Sequence, residues 1–221
     1  MSDQLRLYSY WRSSAAYRVR IGLNLKGLPY ETVPVHLVRD GGQQHTAQFR
    51  KANPQGLVPV LQHGNRMLRQ SVAILEYLDE TWPSPPLLPV LGRDRQRVRS
   101  LSQLLACDIH PLNNLRVLQH FEHTWNVPQP ERDDWVRHWI VEGFGAFEAM
   151  VAGHPSTGEY CEGNTPTQAD CCLVPQVYNA RRFGVTVEDF PTIARIDRAC
   201  LALPAFDRAR PERQPDCPTP Q

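Results

Sequence analysis

The chain has 221 residues, with 24 Lys and Arg against 23 Asp and Glu, and 41% of its residues are apolar. A formal charge of +1 gives no reason to expect nucleic acid or an anionic membrane as partner, and the apolar fraction suffices for a real core. No run approaches the roughly 18 apolar residues that span a bilayer, and the start MSDQLRLYSY lacks the apolar stretch of a signal peptide. A cytoplasmic protein is expected. Cys107, Cys161, Cys171, Cys172, Cys200 and Cys217 show no CxxC pair or metal-like spacing, so they read as reduced thiols that fill the core. The histidines, His36, His45 and His63 among them, also lack ligand spacing, and no metal is expected.

In chain order, residues 4–10 alternate with Leu5 and Leu7 on one side and predict a strand. Ser13 and Ser14 then stand at a strand-to-helix turn, before Ala16, Val19 and Leu23 repeat at helical spacing. Residues 30–37 alternate again, with Val33, Val35 and Leu37 on one face. The Gly41-Gly42 loop follows, and residues 43–51 form a polar segment with weak helical character. Residues 57–62 are a short apolar run, His63-Gly64-Asn65 reads as a hairpin turn, and residues 66–69 return as a strand. Ser71 is placed to cap a helix reaching Thr81, with Val72, Leu75 and Leu78 on one side. This order predicts a small mixed sheet covered by helices. The stretch WPSPPLLP cannot continue a helix and reads as a linker. Beyond it, residues 95–120, 131–152, 167–181 and 187–201 carry helical patterns, and the Pro-rich, charged tail 204–221 is expected along the surface. The division is an α/β domain over 1–83, a linker over 84–91 and an all-α domain over 92–221.

Three short segments carry candidate chemistry, each with two readings. Ser13-Ser14 is either a plain N-cap or an anion site, because free N–H groups and the positive helix end favour a thiolate or carboxylate. Val58-Pro59 is either an ordinary edge-strand proline or a cis bond that turns the preceding backbone outward for a peptide-like ligand. Gln70-Ser71 is either a cap or a holder of a carboxylate. Each of the three follows or opens a sheet element, so in such a domain they can gather on one edge.

Taken with YWRSSAAYRVRIGLNLKGLPYE, DGGQQ, NPQGLVPVL, QSVAILEYLDE, DIHPLNNLRVL, TPTQADCCLVPQVYNARRFGV and RQPDCPTP, in that order and spacing, these segments cover nearly the whole length. The chain resembles the zeta-class glutathione transferases, and within them the maleylacetoacetate isomerases. The resemblance implies a thioredoxin-like N-terminal domain, an all-helical C-terminal domain, a homodimer, and glutathione as cofactor. It places Ser13, Ser14, Ala15, Ala16, Tyr17 and Arg18 by the glutathione sulfur and its helix. Gln44 would approach the glycyl end, Val58 would pair with the cysteinyl backbone ahead of a cis Pro59, and Gln70 and Ser71 would hold the γ-glutamyl carboxylate. From the helical domain it implicates His110, Asn114, Leu115 and Arg116. Thr167 and Asp170 match a capping box, a folding element.

Where the family signature reads Ser-Ser-Cys, this chain has Ala15, so no protein thiol can assist at the turn. The implied activity is cis–trans isomerisation of maleylacetoacetate to fumarylacetoacetate, in tyrosine and phenylalanine breakdown, by reversible addition of glutathione's thiolate. Ser13, with Ser14 as substitute, would stabilise that thiolate. Arg12 suits the substrate's carboxylate, and Arg181 and Arg182 are either further carboxylate sites or a solvated basic helix end. His110 is either an acid–base group or a hydrogen-bonding partner. The rival substrate is maleylpyruvate, of gentisate breakdown, since related maleylpyruvate isomerases also lack the cysteine. Conjugation or dehalogenation of small acids is a further reading, and a non-enzymatic scaffold the last.

Overall fold

A computed structural model describes residues 4–218 and divides the chain into two compact units. One runs to Leu87 and resumes at Leu203; the other is Leu88–Ala202. The first unit holds β1 (Leu5–Ser9), α1 (Ser14–Leu25), β2 (Tyr30–Pro34), α2 (Ala47–Ala52), β3 (Val60–His63), β4 (Arg66–Arg69) and α3 (Ser71–Thr81). Its sheet has the order β2-β1-β3-β4. The β1–β2 pair is parallel because α1 carries the crossover, and the other two pairs are antiparallel. Gly64 takes a φ of 58° in the two-residue turn between β3 and β4.

Alternation along the strands divides the packing between two faces. Leu5, Leu7 and Leu61 meet Val19 and Leu23 of α1 and Ile74 and Leu78 of α3. Val60, one residue from Leu61, joins Tyr10, Val35, Phe49 and Val58 in a separate cluster. A Cβ on Gly22 would collide with Leu75, so glycine lets α1 and α3 approach closely.

Several boundaries differ from the periodicity. The second strand stops at Pro34, which has no N–H for a ladder, although Val35 still donates to the Ser9 carbonyl at 2.7 Å. The polar segment 43–51 breaks at Thr46, whose extended backbone (ψ 147°) and hydroxyl cap α2 through the Phe49 N–H. Ser71 is the first residue of α3, and the N-cap is Gln70, at φ 68°. The proline-rich stretch is bound to the first unit as far as Leu87. The buried Lys26 donates from Nζ to Asp79 at 2.6 Å, to the Trp82 carbonyl at 2.7 Å and to the Pro85 carbonyl at 2.5 Å. Asp79 also accepts from the Leu87 N–H at 2.6 Å.

In the second unit, α4 (Gly92–Gln103) runs into a π-helical turn at Leu104–Ile109 and a 3-10 turn at His110–Asn113, before α5 (Leu115–Trp125). The single helix expected over 95–120 is thus broken. Pro111 supplies no N–H, and Asn114, extended at ψ 144°, then caps a new helix through the Arg116 N–H at 3.2 Å. The helices α6 (Gln129–Val151), α7 (Gln168–Arg182) and α8 (Pro191–Leu201) complete the unit. Thr167 and Asp170 form the expected capping box, with Thr167 N–H to carboxylate at 2.7 Å. Burial pushes the Asp170 carboxyl above its usual range, against hydrogen bonds from Cys161 and Thr167 that pull it down.

The end of the segment 92–221 is helical but groups with the first unit. From Leu203 the chain returns to the first unit, where α9 (Pro204–Ala209) packs on α1 with Phe206 and Ala209 fully buried. The tail is therefore built into that unit and does not merely lie on it; residues 219–221 lie outside the described residues. Among the described residues no helix is long and apolar enough to cross a membrane.

Lys26→Met should cost on the order of 3 kcal/mol, because it leaves the Asp79 carboxylate and two carbonyls without their buried cation. Urea denaturation followed by circular dichroism checks this.

Candidate active site

Tyr8, Val60 and Arg69 are consecutive partners across β1, β3 and β4, and they form the last row of the sheet at one end. The chain leaves β1 there toward Ser13, enters β3 there from Val58-Pro59, and leaves β4 there into Gln70-Ser71. Because β2 is parallel to β1, the loop carrying Gln44 departs from the same end. The expectation that these segments gather on one sheet edge is met by topology.

At the first segment Ser13 is the N-cap of α1: its Oγ accepts from the Ala16 N–H at 3.2 Å. Its own N–H donates to the Tyr10 carbonyl at 3.0 Å, and its carbonyl accepts from Tyr17 at 2.8 Å. With those two later amides taken, the N–H groups of Ser14 and Ala15 are the donors left at the head of the helix. The Ser13 hydroxyl uses only its oxygen in the cap, so its proton remains to be given. Ser14 is 9% exposed, and no hydrogen bond engages its hydroxyl among the described residues. Ala16 and Tyr17, expected at the cofactor, bury their side chains in the unit and give their amides to Ser13. Arg18 is also buried and donates to Ser71 Oγ at 3.2 Å, tying α1 to the head of α3. The Arg12 guanidinium lies 5.3 Å from the centre of the Trp11 ring and makes no ion pair among the described residues.

Asp40, Gly41 and Gly42 have φ of 54°, 77° and 94°, which turns the loop sharply after β2. A Cβ on Gly42 would stand 2.5 Å from Gln44 Nε2, so the glycine admits that amide. Gln44 is 5% exposed; its Nε2 donates to the Leu37 carbonyl at 3.0 Å, and its buried Oε1 has no hydrogen-bond partner among the described residues. The Val58–Pro59 bond is cis, and Val58 lies outside the ladder, which opens at Val60. Gln70 has φ 68°, and its amide reaches Gln55 at 2.9 Å.

The other candidates belong to the second unit. His110 opens the 3-10 turn after the π-helical turn, Asn114 caps α5, and Leu115 and Arg116 are the first residues of that helix. Arg181 donates to the buried Asp197 at 2.7 Å, an ion pair that joins α7 to α8. Its charge is committed to the fold, which runs against the substrate-binding expectation. Arg182 donates to Asn179 at 2.8 Å and stacks over Phe183 at 5.1 Å. Among the described residues no three His, Cys, Asp or Glu side chains gather as a metal site.

Sequence reasoning passed over Trp11, Arg20 and Asp216, all at the Ser13 turn. The Trp11 N–H donates to Asp216 at 2.9 Å, and Arg20 donates to the Trp11 carbonyl at 2.9 Å. The only available signal was an arginine on the buried face of α1, where an unpaired charge is costly.

The sheet, its helices and the polar groups at its edge define a glutathione S-transferase N-terminal half, and residues 7–86 match the family description "Glutathione S-transferase, N-terminal domain". A probable maleylacetoacetate isomerase of Vibrio cholerae is 52% identical over 96% of this chain and 98% of its own length. The holo structure of a bacterial maleylpyruvate isomerase of the zeta class superposes with a TM-score of 0.94 at 47% identity, over 96% of this chain and 100% of that one. A maleylacetoacetate isomerase of Methylobacterium extorquens AM1, with bound malonate and glutathione, gives 0.93 at 42% identity, over 97% and 100%. The chain belongs to the zeta-class glutathione S-transferases, in the family of maleylacetoacetate and maleylpyruvate isomerases.

Cys161, Cys171, Cys172 and Cys200 are buried, and burial pushes the thiols of Cys161 and Cys200 well above the usual range. In a thiol titration of native protein at mildly alkaline pH, Cys107 should react first and Cys217 more slowly, with the other four appearing only in denaturant. Mass mapping of the alkylated peptides checks the order.

Proposed function

We propose that the chain is a glutathione-dependent isomerase that converts maleylacetoacetate, the cis form, into fumarylacetoacetate, the trans form, in the breakdown of tyrosine and phenylalanine. The observation that carries this reading is the Ser13 turn: a hydroxyl proton and two helix-head amides converge there, with Ala15 where the family signature has its cysteine. A thiol tripeptide with a carboxylate at each end suits the surrounding groups. Val58 offers backbone beyond the ladder, and Ser71 and Arg18 stand at the head of α3. Bound glutathione supplies a thiolate whose reversible addition makes the substrate's double bond single, so that it can rotate.

The chain's own work is electrostatic. Ser13 donates a hydrogen bond to the sulfur, and the head of α1 adds partial positive charge, so the anion is favoured over the thiol. Ser14, buried and with no bond to its hydroxyl among the described residues, is the substitute donor. Arg12, close to the Trp11 ring and with no ion pair among the described residues, would present its donor fork to the carboxylate of the substrate. Gln70 and Ser71 would take the γ-glutamyl carboxylate at the helix head. We further read the enzyme as a cytoplasmic homodimer, in keeping with the family resemblance.

The second reading is maleylpyruvate as substrate, supported by the zeta-class maleylpyruvate isomerase at 47% identity and a TM-score of 0.94. Arg12 recognises a carboxylate common to both acids, so the choice falls to kinetics. Isomerisation of maleylacetone and of maleylpyruvate by the purified protein, with and without glutathione, tests the proposal. Glutathione-dependent turnover is expected. Equal rates without glutathione, or turnover only on a chlorinated nitrobenzene, would sink it.

Ser13→Ala should lower kcat by roughly 10- to 100-fold, the loss of one hydrogen bond to a charged group. Losing that donor raises the thiol's pKa, so the pH–rate profile should move to higher pH. Arg12→Met should raise KM for the acid substrate while leaving glutathione affinity, read by calorimetry, nearly unchanged.

A further inference from the structure

We propose that Asp216, brought in from the C-terminal segment, is a positioning residue for the Ser13 turn. The inference rests on the function proposed above and concerns the peptide unit joining Tyr10 to Trp11. Its carbonyl accepts from the Ser13 N–H at 3.0 Å and from Arg20 Nη1 at 3.4 Å. Its N–H, that of Trp11, donates to Asp216 Oδ2 at 2.9 Å. The plane is held at both ends, and Ser13 hangs directly from one of them. Rotation of that plane would take the acceptor away from the Ser13 amide and carry its hydroxyl with it.

The segment that delivers Asp216 is itself anchored. Arg20 Nε donates to the Ala209 carbonyl at 2.9 Å, so one buried guanidinium grips both the turn and the tail. Gln214 is 8% exposed, and its amide donates to the Arg208 and Arg210 carbonyls at 3.1 and 2.8 Å, which folds the chain back on itself. Two residues later comes Asp216. Its other oxygen, Oδ1, is buried and has no hydrogen-bond partner among the described residues. A carboxylate left half satisfied contributes little net stability. What it provides is a charge-assisted hydrogen bond of fixed direction on one backbone amide. A small displacement of a reacting group can cost as much as about 100-fold in rate, so a fixed peptide plane bears directly on turnover.

The test is steady-state isomerisation of maleylacetone by the full-length protein, with glutathione varied, for the parent, Asp216→Ala and Asp216→Asn. Asp216→Ala should lose about tenfold or more in kcat, with KM for glutathione within about twofold, because Val58, Gln70 and Ser71 would hold the tripeptide independently of the turn. Asp216→Asn, whose amide oxygen can still accept the Trp11 N–H, should recover to within about threefold of the parent. Parental kcat in Asp216→Ala, an asparagine variant as impaired as the alanine, or a fall in kcat matched by a rise in KM would each overturn the proposal. Should Asp216→Ala not fold, Asp216→Glu keeps the charge and moves the acceptor by one methylene. Reduced kcat at a parental melting temperature then supports the proposal, and parental kcat overturns it. A parent enzyme without glutathione-dependent turnover would instead refute the isomerase reading.

Discussion

A guanidinium with no exposure, Arg20 on α1, has to find acceptors where the sheet and helices exclude water, since an unpaired buried charge is strongly unfavourable. Ser9 Oγ and the carbonyls of Tyr10, Trp11 and Ala209 meet that demand. One side chain thereby fixes where β1 ends, how the chain turns toward Ser13, and where the C-terminal segment docks. The N-cap of α1, and with it the donor group of the candidate site, inherits its place from this cluster. Lys26 at the other end of α1 acts similarly on the proline-rich stretch. Buried cations on one helix thus hold two irregular segments that periodicity alone could not have ordered.

The sheet supplies the second constraint. With Tyr8, Val60 and Arg69 in one terminal row, two strand ends and one strand beginning must open on the same edge, and the parallel β2 sends its loop there as well. Residues far apart in the chain are gathered without any direct attraction among them. Glycine at 42 and positive φ at Asp40 and Gln70 are the local departures that let the loops close down over this edge. Such strain is characteristic of sites where the surrounding fold over-determines the backbone.

Chemically, the edge favours an anion, and Ala15 stands where the family signature has a thiol. Desolvation holds the buried Cys161 and Cys200 thiols protonated. A turn rich in donors, with alanine at that position, is matched to a ligand that brings a sulfur. The similarity to maleylacetoacetate and maleylpyruvate isomerases extends over nearly the whole chain, so it covers the helical unit as well as the edge.

What the sequence determined by itself was local: alternation gave β1 and β2, helical spacing gave α1 and α3, Gly64-Asn65 the hairpin, and Thr167 with Asp170 the capping box. These rest on contacts within a few residues, where propensity and periodicity act directly. The serine turn, Val58-Pro59 and Gln70-Ser71 were legible as candidates because each is short and punctuates an element. Tertiary structure alone decided that the tail belongs with the first unit, that residues 84–87 do too, and that the helix through residue 110 breaks into π and 3-10 turns. It also committed Arg181 to Asp197 and brought Asp216 to Trp11. Those outcomes depend on which buried charge or amide finds which acceptor across the folded chain, and pairing at that range leaves no period in the sequence.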